Sequence, residues 1–538
     1  STTTSSWTMT DKLGTTYKFG TSTAARQDNP SNSAQIYKWM LQEVRDPSGN
    51  FITYEYVKHK GQIYPYKAKY TGNGVTAGIF EVEFLTEARS DIATSTSAGF
   101  EVVSEKRINE IQAKINGSWV RKYALAYTVG DNGRRSVLNT VTESGKDESG
   151  VTTTLPAIDF DYRSSDNNWD QPEGISLPIA FSAGVRLADI NGDGLTDIAA
   201  SFMDTGSSTQ ATYLSNGAGW VASSTWTMPE YFWVDSIEQG VRVADVNGDG
   251  LADILRVYWS GTSTTTSTYI NNGAGWMASS TWNAPIKLND NSVQLADVNG
   301  DGLVDILRSD TGARVTYLNN GLGWTASSTW NAPIDFLTSG AGKDVRLEDL
   351  NGDGLVDMIQ AYFDGSSCVG GAYINNGAGW TINGAWGSPL CFSLDYTPDA
   401  GIRFADVNGD GLPDLLQAHS HITSSAVAVY INTGKTWVQD PLWSPPDAFS
   451  TDSTTNELRI TDVNGDGLPD LLQGSTVPGT TYLNNSRRTD IVSKILYPEG
   501  GVVTFGYKTA QEYKVGSDLA NSHVPFPLDT LFSTQLDA

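Results

Sequence analysis

Asp297-Val-Asn-Gly-Asp-Gly-Leu-Val-Asp305 is the stretch that decides the fold, because the chain contains six close copies of it. The copies begin at Asp189, Asp245, Asp297, Asp349, Asp406 and Asp462, so they recur every 52 to 57 residues. A period of this length is typical of a solenoid, or of a propeller whose blades each have four strands. The copies therefore belong to one repetitive architecture.

A second element repeats in phase with these loops. Tyr-Leu or Tyr-Ile precedes a turn, which is Asn-Gly in four copies and Asn-Thr-Gly in the copy at Tyr430. A Trp follows the turn, and a further Trp comes six residues later. The Trp pairs are Trp220/Trp226, Trp276/Trp282, Trp324/Trp330, Trp380/Trp386 and Trp437/Trp443. The sixth copy, at Tyr482, has no Trp, and the missing half-repeat lies upstream of the first loop, around Trp169. Complementary halves allow a ring to pair its first and last blades without an open edge. The sequence thus predicts an all-β chain in which residues 164–488 form a closed six-bladed β-propeller.

The chemistry of the loops favours calcium. Positions 1, 3 and 5 offer side-chain oxygens, Gly at position 6 permits a sharp turn, position 7 offers a carbonyl, and Asp at position 9 closes the set. Hard oxygen donors in a flexible loop select Ca²⁺, whereas Mg²⁺ demands stricter octahedral geometry. We predict up to six Ca²⁺ ions as structural cofactors. The predicted ligands are Asp189, Asn191, Asp193, Leu195, Asp197; Asp245, Asn247, Asp249, Leu251, Asp253; Asp297, Asn299, Asp301, Leu303, Asp305; Asp349, Asn351, Asp353, Leu355, Asp357; Asp406, Asn408, Asp410, Leu412, Asp414; and Asp462, Asn464, Asp466, Leu468, Asp470.

Three other readings of the loops are less favoured. An EF-hand needs Glu at position 12, where the six copies have Ala200, Arg256, Arg308, Gln360, Gln417 and Gln473. Plain Asp-Gly turns would not require the same three Asp and one Asn in every copy. Catalytic carboxylate pairs, as in glycosidases, form one asymmetric site rather than six equal ones. We therefore predict no catalytic residue and no enzymatic activity.

Composition excludes several classes of partner. The net charge of −26 and the sequence pI near 4.4 argue against a nucleic-acid footprint and against adhesion to anionic lipid. No apolar stretch is long enough to span a bilayer. Calcium affinities typical of extracellular modules indicate a secreted or cell-surface protein. Cys368 and Cys391 form either a disulfide or two buried thiols, and the sequence leaves that choice open.

Two minor hypotheses concern His and Trp. His419 and His421 have strand spacing, so both side chains could face one side and bind a metal. The repeated Trp residues could stack on carbohydrate, but one aromatic at a fixed position of each repeat is also what packing between blades requires. Packing is the favoured interpretation.

The segments on either side of the repeats do not contain the Asp-rich loop. Residues 1–163 alternate as strands do, for example in Phe51–Tyr56 after the turn Asp46–Asn50, and residues 489–538 begin with a hairpin-like stretch that ends near Tyr507. These two segments are predicted to add β-sheet on either side of the propeller.

The loop with its strands resembles the FG-GAP/VCBS repeat of integrin α-subunits and bacterial surface proteins. Residues 7–20, 36–56, 135–138 and 155–162 resemble the region before the propeller in SpvB-like proteins and in B components of insecticidal toxin complexes, and residues 491–507 are similar to the start of their Rhs-type shell. This resemblance implies an SpvB/toxin-B-like segment at 1–163 and the start of an Rhs-like β-sheet shell, or a tail, at 489–538. It also implies a scaffolding role in which the propeller docks a toxin shell onto a protein partner, a pore-forming toxin subunit. The alternatives are a cell-surface adhesin or lectin that binds carbohydrate, and then a polysaccharide lyase.

Overall fold

A computed structural model describes residues 6–95, 98–130, 135–164, 169–170, 175–182, 184–289, 292–338, 341–342, 345–393, 399–420, 425–451, 458–475, 478–484, 490–507 and 533–536. The chain divides into two compact units. The first, the sheet unit, comprises residues 1–164, 489–506 and 533–538. The second, the propeller unit, comprises residues 165–488 and 507–532.

The sheet unit is built on long antiparallel strands that follow one another in the chain. The strands before the propeller are β1 (Trp7–Thr10), β2 (Thr16–Phe19), β3 (Arg26–Asn29), β4 (Asn32–Trp39), β5 (Leu41–Arg45), β6 (Asn50–His59), β7 (Gln62–Asn73), β8 (Phe80–Ser95), β9 (Val102–Ile115), β10 (Ser118–Val129), β11 (Ser136–Lys146), β12 (Thr152–Thr154) and β13 (Ile158–Tyr162). A 3₁₀ turn spans Thr23–Ala25, and β3 and β4 form a separate hairpin.

The turn predicted at Asp46–Asn50 joins β5 to β6. Gly49 adopts a left-handed conformation with φ 84°, which a side chain would disfavour. The Asp46 carboxylate accepts a hydrogen bond from the Asn50 amide at 2.8 Å, and the chain then enters β6. Both the turn and the strand that follows it are confirmed.

The propeller unit contains six blades of antiparallel strands. Two short strands, β14 (Trp169–Asp170) and β15 (Ser176–Leu177), precede the first blade. The first blade has β16 (Val185–Ala188), β17 (Asp197–Asp204), β18 (Ser207–Ser215) and β19 (Trp220–Ser223), followed by β20 (Trp233–Val234) and β21 (Ile237–Glu238). The second has β22 (Val241–Ala244), β23 (Asp253–Trp259), β24 (Thr264–Asn271) and β25 (Trp276–Ser279). The third has β26 (Val293–Ala296), β27 (Asp305–Asp310), β28 (Ala313–Asn319) and β29 (Trp324–Ser327), followed by β30 (Leu337–Thr338) and β31 (Ala341–Gly342).

The remaining three blades follow the same pattern. The fourth has β32 (Val345–Glu348), β33 (Asp357–Phe363), β34 (Cys368–Asn375) and β35 (Trp380–Asn383), followed by a 3₁₀ turn at Gly384–Trp386. The fifth has β36 (Ile402–Ala405), β37 (Asp414–Ser420), β38 (Ser425–Asn432), β39 (Trp437–Gln439) and the short β40 (Ser450–Thr451). The sixth has β41 (Leu458–Thr461), β42 (Asp470–Gln473) and β43 (Gly479–Asn484).

The sixth blade is completed by residues that come before the first. Trp169 pairs with Asn484 and Asp170 with Leu483, so β14 supplies the fourth strand of that blade. The short β15 pairs with the beginning of β43. The predicted closed six-bladed ring is therefore confirmed, and β43 is covered rather than left as an open edge.

The core of the propeller lies between neighbouring blades, in six separate apolar clusters. The second Trp of one blade packs edge to face against the first Trp of the next at five of the interfaces. The pairs are Trp226/Trp276, Trp282/Trp324, Trp330/Trp380, Trp386/Trp437 and Trp443/Trp169, with ring centroids 5.5 to 6.4 Å apart. This geometry favours aromatic attraction beyond simple burial. Each Trp pair thus fixes one blade against the next.

After the propeller the chain returns to the sheet unit. The strands β44 (Val492–Leu496), β45 (Val502–Gly506) and β46 (Ser533–Leu536) extend the sheet beyond β13, which pairs with β44. The resulting sheet has 14 strands, with β12 beside β11. The sequence alone treats residues 489–538 as a separate segment, whereas β44 and β45 continue the sheet that residues 1–163 begin.

The two cysteines form a disulfide within the fourth blade. Their Cα atoms lie 5.5 Å apart, inside the range that a disulfide requires. Along the described stretches of the chain, no helix is long and apolar enough to cross a membrane.

Candidate metal centres

Each Asp-rich loop joins the first and second strands of its blade, so all six loops lie at the same end of the ring. In the first loop, Gly192 and Gly194 have φ values of 75° and 83°. These left-handed conformations let the chain reverse tightly between β16 and β17. Asp at position 9 is in every case the first residue of the second strand.

Positions 1, 3 and 5 of the loops bind the loop's own backbone amides. Asp189 accepts hydrogen bonds from the amides of Gly192 and Gly194, both at 2.8 Å. Asn191 Oδ1 accepts from the amide of Asp193 at 3.0 Å, and its Nδ2 donates to the Asp193 carboxylate at 2.9 Å. The equivalent Asn-to-Asp bond occurs in all six loops.

Asp at position 9 fastens the loop to the end of the third strand. Asp197 is fully buried, and its carboxylate accepts from the amides of Ile190 at 2.9 Å and Ser215 at 2.7 Å. The same two bonds are made by Asp253, Asp305, Asp357, Asp414 and Asp470. The sequence predicts these six carboxylates as the last metal ligand; the structure gives them a direct role in holding each blade together.

Burial disfavours the charged form of the position 9 carboxylates in spite of these two hydrogen bonds. Burial raises the pKa of Asp197 to about 7, and repulsion from Asp193 and Asp189 adds to the shift. The same causes raise the pKa of Asp253 to about 6, Asp305 to about 7, Asp357 and Asp470 to about 8, and Asp414 well above its usual range. A positive ion among these carboxylates would favour their charged form.

The donor chemistry of the loops suits calcium, since every predicted side-chain ligand is an oxygen. The loop side chains, however, are engaged by backbone amides. Within the described residues, no group of three or more Asp, Glu, His or Cys side chains is arranged so that it could hold a metal ion. The fit therefore rests on the donor set and on the raised pKa values, and calcium binding stays a prediction.

An Asn at the end of the third strand links each loop to its neighbour, which sequence reasoning missed. Asn271 Nδ2 in the second blade donates to the carbonyl of Ile190 in the first at 2.7 Å. The equivalent bond to the preceding blade is made by Asn319, Asn375, Asn432 and Asn484. At the closing interface, which lies between the sixth and first blades, Ser215 makes the bond instead. The available signal was the Asn that follows Tyr-Leu or Tyr-Ile in phase with the loops. The six loops therefore form a connected ring.

His419 and the second Trp of each pair are buried rather than exposed. His419 is buried in the fifth blade, with Nδ1 at 2.8 Å from Ser450 Oγ, and His421 lies outside the described residues, so the metal hypothesis is untested. The second Trp of every pair is buried. These second Trp rings pack between blades, as the favoured interpretation expects, and carbohydrate binding stays an untested alternative.

Two family models match the chain. The model described as FG-GAP-like repeat matches residues 189–256, 297–360, 349–417 and 406–472. The model described as Salmonella virulence plasmid 65kDa B protein matches residues 1–75. The repeats and the N-terminal segment thus match separate families.

Integrin alpha-7 of Rattus norvegicus and of Homo sapiens are each 31% identical to the chain over 190 residues. The match covers 33% of this chain and 15% of either integrin, so the chain spans a small part of these relatives.

The fold is shared with solved toxin structures. The Photorhabdus luminescens Tc holotoxin pore matches with a TM-score of 0.67 and 17% identity, over 94% of this chain and 26% of that chain. The TcdB2-TccC3-Cdc42 structure matches with a TM-score of 0.64 and 17% identity, over 99% of this chain and 28% of that chain. The TcdB2-TccC3 structure matches with a TM-score of 0.59 and 17% identity, over 94% of this chain and 27% of that chain. The chain is therefore a six-bladed β-propeller protein whose repeats are similar to the FG-GAP-like repeat and whose N-terminal segment is similar to the Salmonella virulence plasmid 65kDa B protein, and it has the fold seen in the Tc toxin structures.

Proposed function

We propose that the chain is a non-enzymatic scaffolding module of a secreted toxin complex or Rhs-like protein, in which the propeller docks a toxin shell to a protein partner. The observation that carries this proposal is the fold match, which extends over 94% of the chain to a component of a Tc holotoxin pore. The match takes in the sheet unit as well as the ring, whereas FG-GAP-like repeats alone occur in proteins with other roles.

The form of the propeller supports a scaffold rather than an enzyme. Its loops are six near-equal copies, whereas catalysis needs one asymmetric site. The adhesin or lectin alternative needs aromatic faces open to sugars, and the Trp rings that suggested it lie between blades. Docking through a broad surface agrees better with these features.

Calcium is proposed to stabilise the ring. The residues that would hold it are the Asp and Asn side chains at positions 1, 3, 5 and 9, with the carbonyl at position 7. Bound Ca²⁺ would supply positive charge to carboxylates that burial now disfavours in their charged form. The linked Asn residues would transmit this stabilisation between blades.

Secretion is part of the proposal. The Cys368–Cys391 disulfide persists in an oxidising compartment. Calcium sites of the extracellular kind are filled at the millimolar concentrations found outside cells. Both features favour a location outside the cytosol.

The test is capture of a purified pore-forming toxin subunit by the full chain, followed by size-exclusion chromatography. We expect a stable complex with calcium present and a weaker one after chelation. A glycan array run with the same protein covers the alternative. Glycan binding without any complex with the pore-forming subunit would contradict docking and favour the adhesin.

A further inference from the structure

Neighbouring Asp-rich loops touch one another directly. Leu251, at position 7 of the second loop, lies against Gly192, at position 4 of the first. A Cβ atom on Gly192 would be 2.4 Å from Leu251 Cδ2, far inside the roughly 3.5–4.0 Å at which carbon atoms pack. The leucine therefore rests on the backbone of the neighbouring loop. The same contact recurs at the next two interfaces, with equivalent distances of 2.6 Å for Gly248/Leu303 and 2.5 Å for Gly300/Leu355.

A second connection between loops runs through the carboxylates at position 9. Asp253 accepts from the amide of Asn271 at 2.7 Å, and the side chain of the same Asn donates to the carbonyl of Ile190 at 2.7 Å. The amide of Ile190 in turn donates to Asp197 at 2.9 Å. All four residues are buried. One continuous path of hydrogen bonds thus joins the position 9 carboxylates of the first two loops.

The loop side chains must converge before they can hold an ion. Within the part of the chain that the structure describes, no three acidic side chains are arranged to hold a metal. In the first loop, Asp189 accepts hydrogen bonds from the amides of Gly192 and Gly194. Movement of this carboxylate therefore also moves the backbone at position 4, on which the leucine of the next loop rests.

We propose that the loops bind Ca²⁺ cooperatively, so that filling one loop raises the affinity of its neighbours. This inference rests on the calcium binding proposed above and adds how those sites are regulated. The leucine that rests on the neighbouring loop also offers its own carbonyl as a predicted ligand. Ordering one loop around an ion therefore orders a ligand of the next loop, and the next ion binds with a smaller loss of conformational entropy.

The path of hydrogen bonds is weakest at the closing interface. There Ser215 Oγ reaches the carbonyl of Val463 at 3.2 Å, whereas the Asn bonds at the other five interfaces measure 2.7 to 2.9 Å. Coupling between the loops therefore spreads along the blades from the first to the sixth, as along a row, more strongly than across the junction of the sixth with the first.

The experiment measures bound Ca²⁺ per chain against free Ca²⁺ by equilibrium dialysis of the full chain. For the original chain we expect a sigmoidal curve with a Hill coefficient of about 2 or more. The loop variant is Leu251→Ala with Leu303→Ala, which keeps both predicted carbonyl ligands and removes the side chains that contact Gly192 and Gly248. It should lower the Hill coefficient and raise the half-saturating Ca²⁺ concentration about threefold.

The control is Ile334→Ala with Leu390→Ala. These half-buried residues pack between blades, but they lie in the connections that follow the third and fourth blades, outside the Asp-rich loops. We expect the control to bind Ca²⁺ as the original chain does. Leu251→Ala alone should give a smaller shift in the same direction, and it tests the coupling should the double variant fail to fold.

A Hill coefficient of about 1 for the original chain would overturn the coupling and leave calcium binding in place. Equal shifts in the two double variants would also overturn the coupling, because lost packing anywhere in the ring would then be enough to weaken binding. If the original chain binds no Ca²⁺ at millimolar concentrations, both the coupling and the proposed calcium stabilisation fail. Capture of the pore-forming subunit tests the docking role separately.

Discussion

Two interfaces of the ring differ in their contacts, although equivalent strands form them. One lies between the first and second blades, and the other, the closing interface, lies between the sixth and first blades. At the former, Trp226 and Trp276 pack edge to face. At the latter, Trp220 packs into a cluster with Leu177, and Ile175 stands where the first blade has Trp226. Among the described residues, the closing interface therefore lacks the Trp pair that the other five interfaces have.

Side-chain hydrogen bonds at the closing interface partly compensate for the missing Trp pair. Arg459 donates to the carbonyls of Val185 and Ser182, both at 2.8 Å, across the closing interface. Ser215 Oγ reaches the carbonyl of Val463 at 3.2 Å, which is longer than the Asn bonds elsewhere. Closure thus depends on β14 and on a few side-chain hydrogen bonds, so the interface between the sixth and first blades should open first.

Deletion of residues 164–180 should have the largest effect. It removes β14 and β15, so β43 becomes an exposed edge that can pair with another chain. We expect association or loss of the cooperative unfolding transition, measured by light scattering and calorimetry. Trp169→Phe keeps the strand and serves as the control. A monomeric deletion variant of unchanged stability would refute the closed ring.

The Trp residues should separate the two kinds of interface. Trp226→Ala leaves a cavity against Trp276 and should cost about 3–5 kcal/mol of unfolding free energy. Trp220→Ala, at the closing interface, should cost roughly half as much, because the side chain is only half-buried and faces no Trp across that interface among the described residues. Urea denaturation followed by circular dichroism measures both. Equal losses would show that the two interfaces are equally well packed.

Removing the hydrogen bonds between neighbouring loops should lower the unfolding free energy by less than removing the Trp side chains, and should still distinguish the two interfaces. Asn271→Ala leaves the buried carbonyl of Ile190 without this donor and should cost about 1–3 kcal/mol. Ser215→Ala, the closing counterpart, should cost about 0.5–1.5 kcal/mol, since its bond is longer. The same denaturation experiment applies. A greater cost for Ser215→Ala would reverse the order of the interfaces.

The pH dependence of the chelated protein reports on the buried carboxylates. Asp305 has a pKa of about 7 in the folded chain and an ordinary value of 3.8 otherwise, so the folded state holds this proton longer than the unfolded state. Stability should therefore fall as pH rises from about 4 to about 8. Added calcium should abolish the fall. Melting temperatures measured across this pH range, with and without chelator, test the expected fall in stability. A chelated protein that becomes more stable as pH rises would contradict the assigned pKa directions.

The ring could be predicted from the sequence because each blade carries the same short motifs at a nearly constant spacing. The loops at fixed spacing give the blade count, and Trp169 marks the half-repeat that closes the ring. The bond from Asn271 to Ile190 could not be predicted, because it joins residues 81 positions apart through a backbone carbonyl. The pairing of β44 with β13 likewise depends on where the propeller returns the chain. The hydrogen bonds from backbone amides to Asp197 could not be predicted, because metal ligation and acceptance of such bonds favour the same residue type.

The most direct test of the calcium-stabilised ring is the number of Ca²⁺ ions bound, counted by native mass spectrometry together with melting in chelator. Six ions and a sharp fall in melting temperature on chelation are expected, because all six loops share one donor set. Asp301→Ala should remove one ion. Arg256→Ala should keep six, since Arg256 pairs with Glu230 at 2.8 Å outside the loop. Fewer than about four ions at the millimolar calcium that fills extracellular sites, or melting that is unchanged by chelator, would show that the loops are turns held by backbone amides alone.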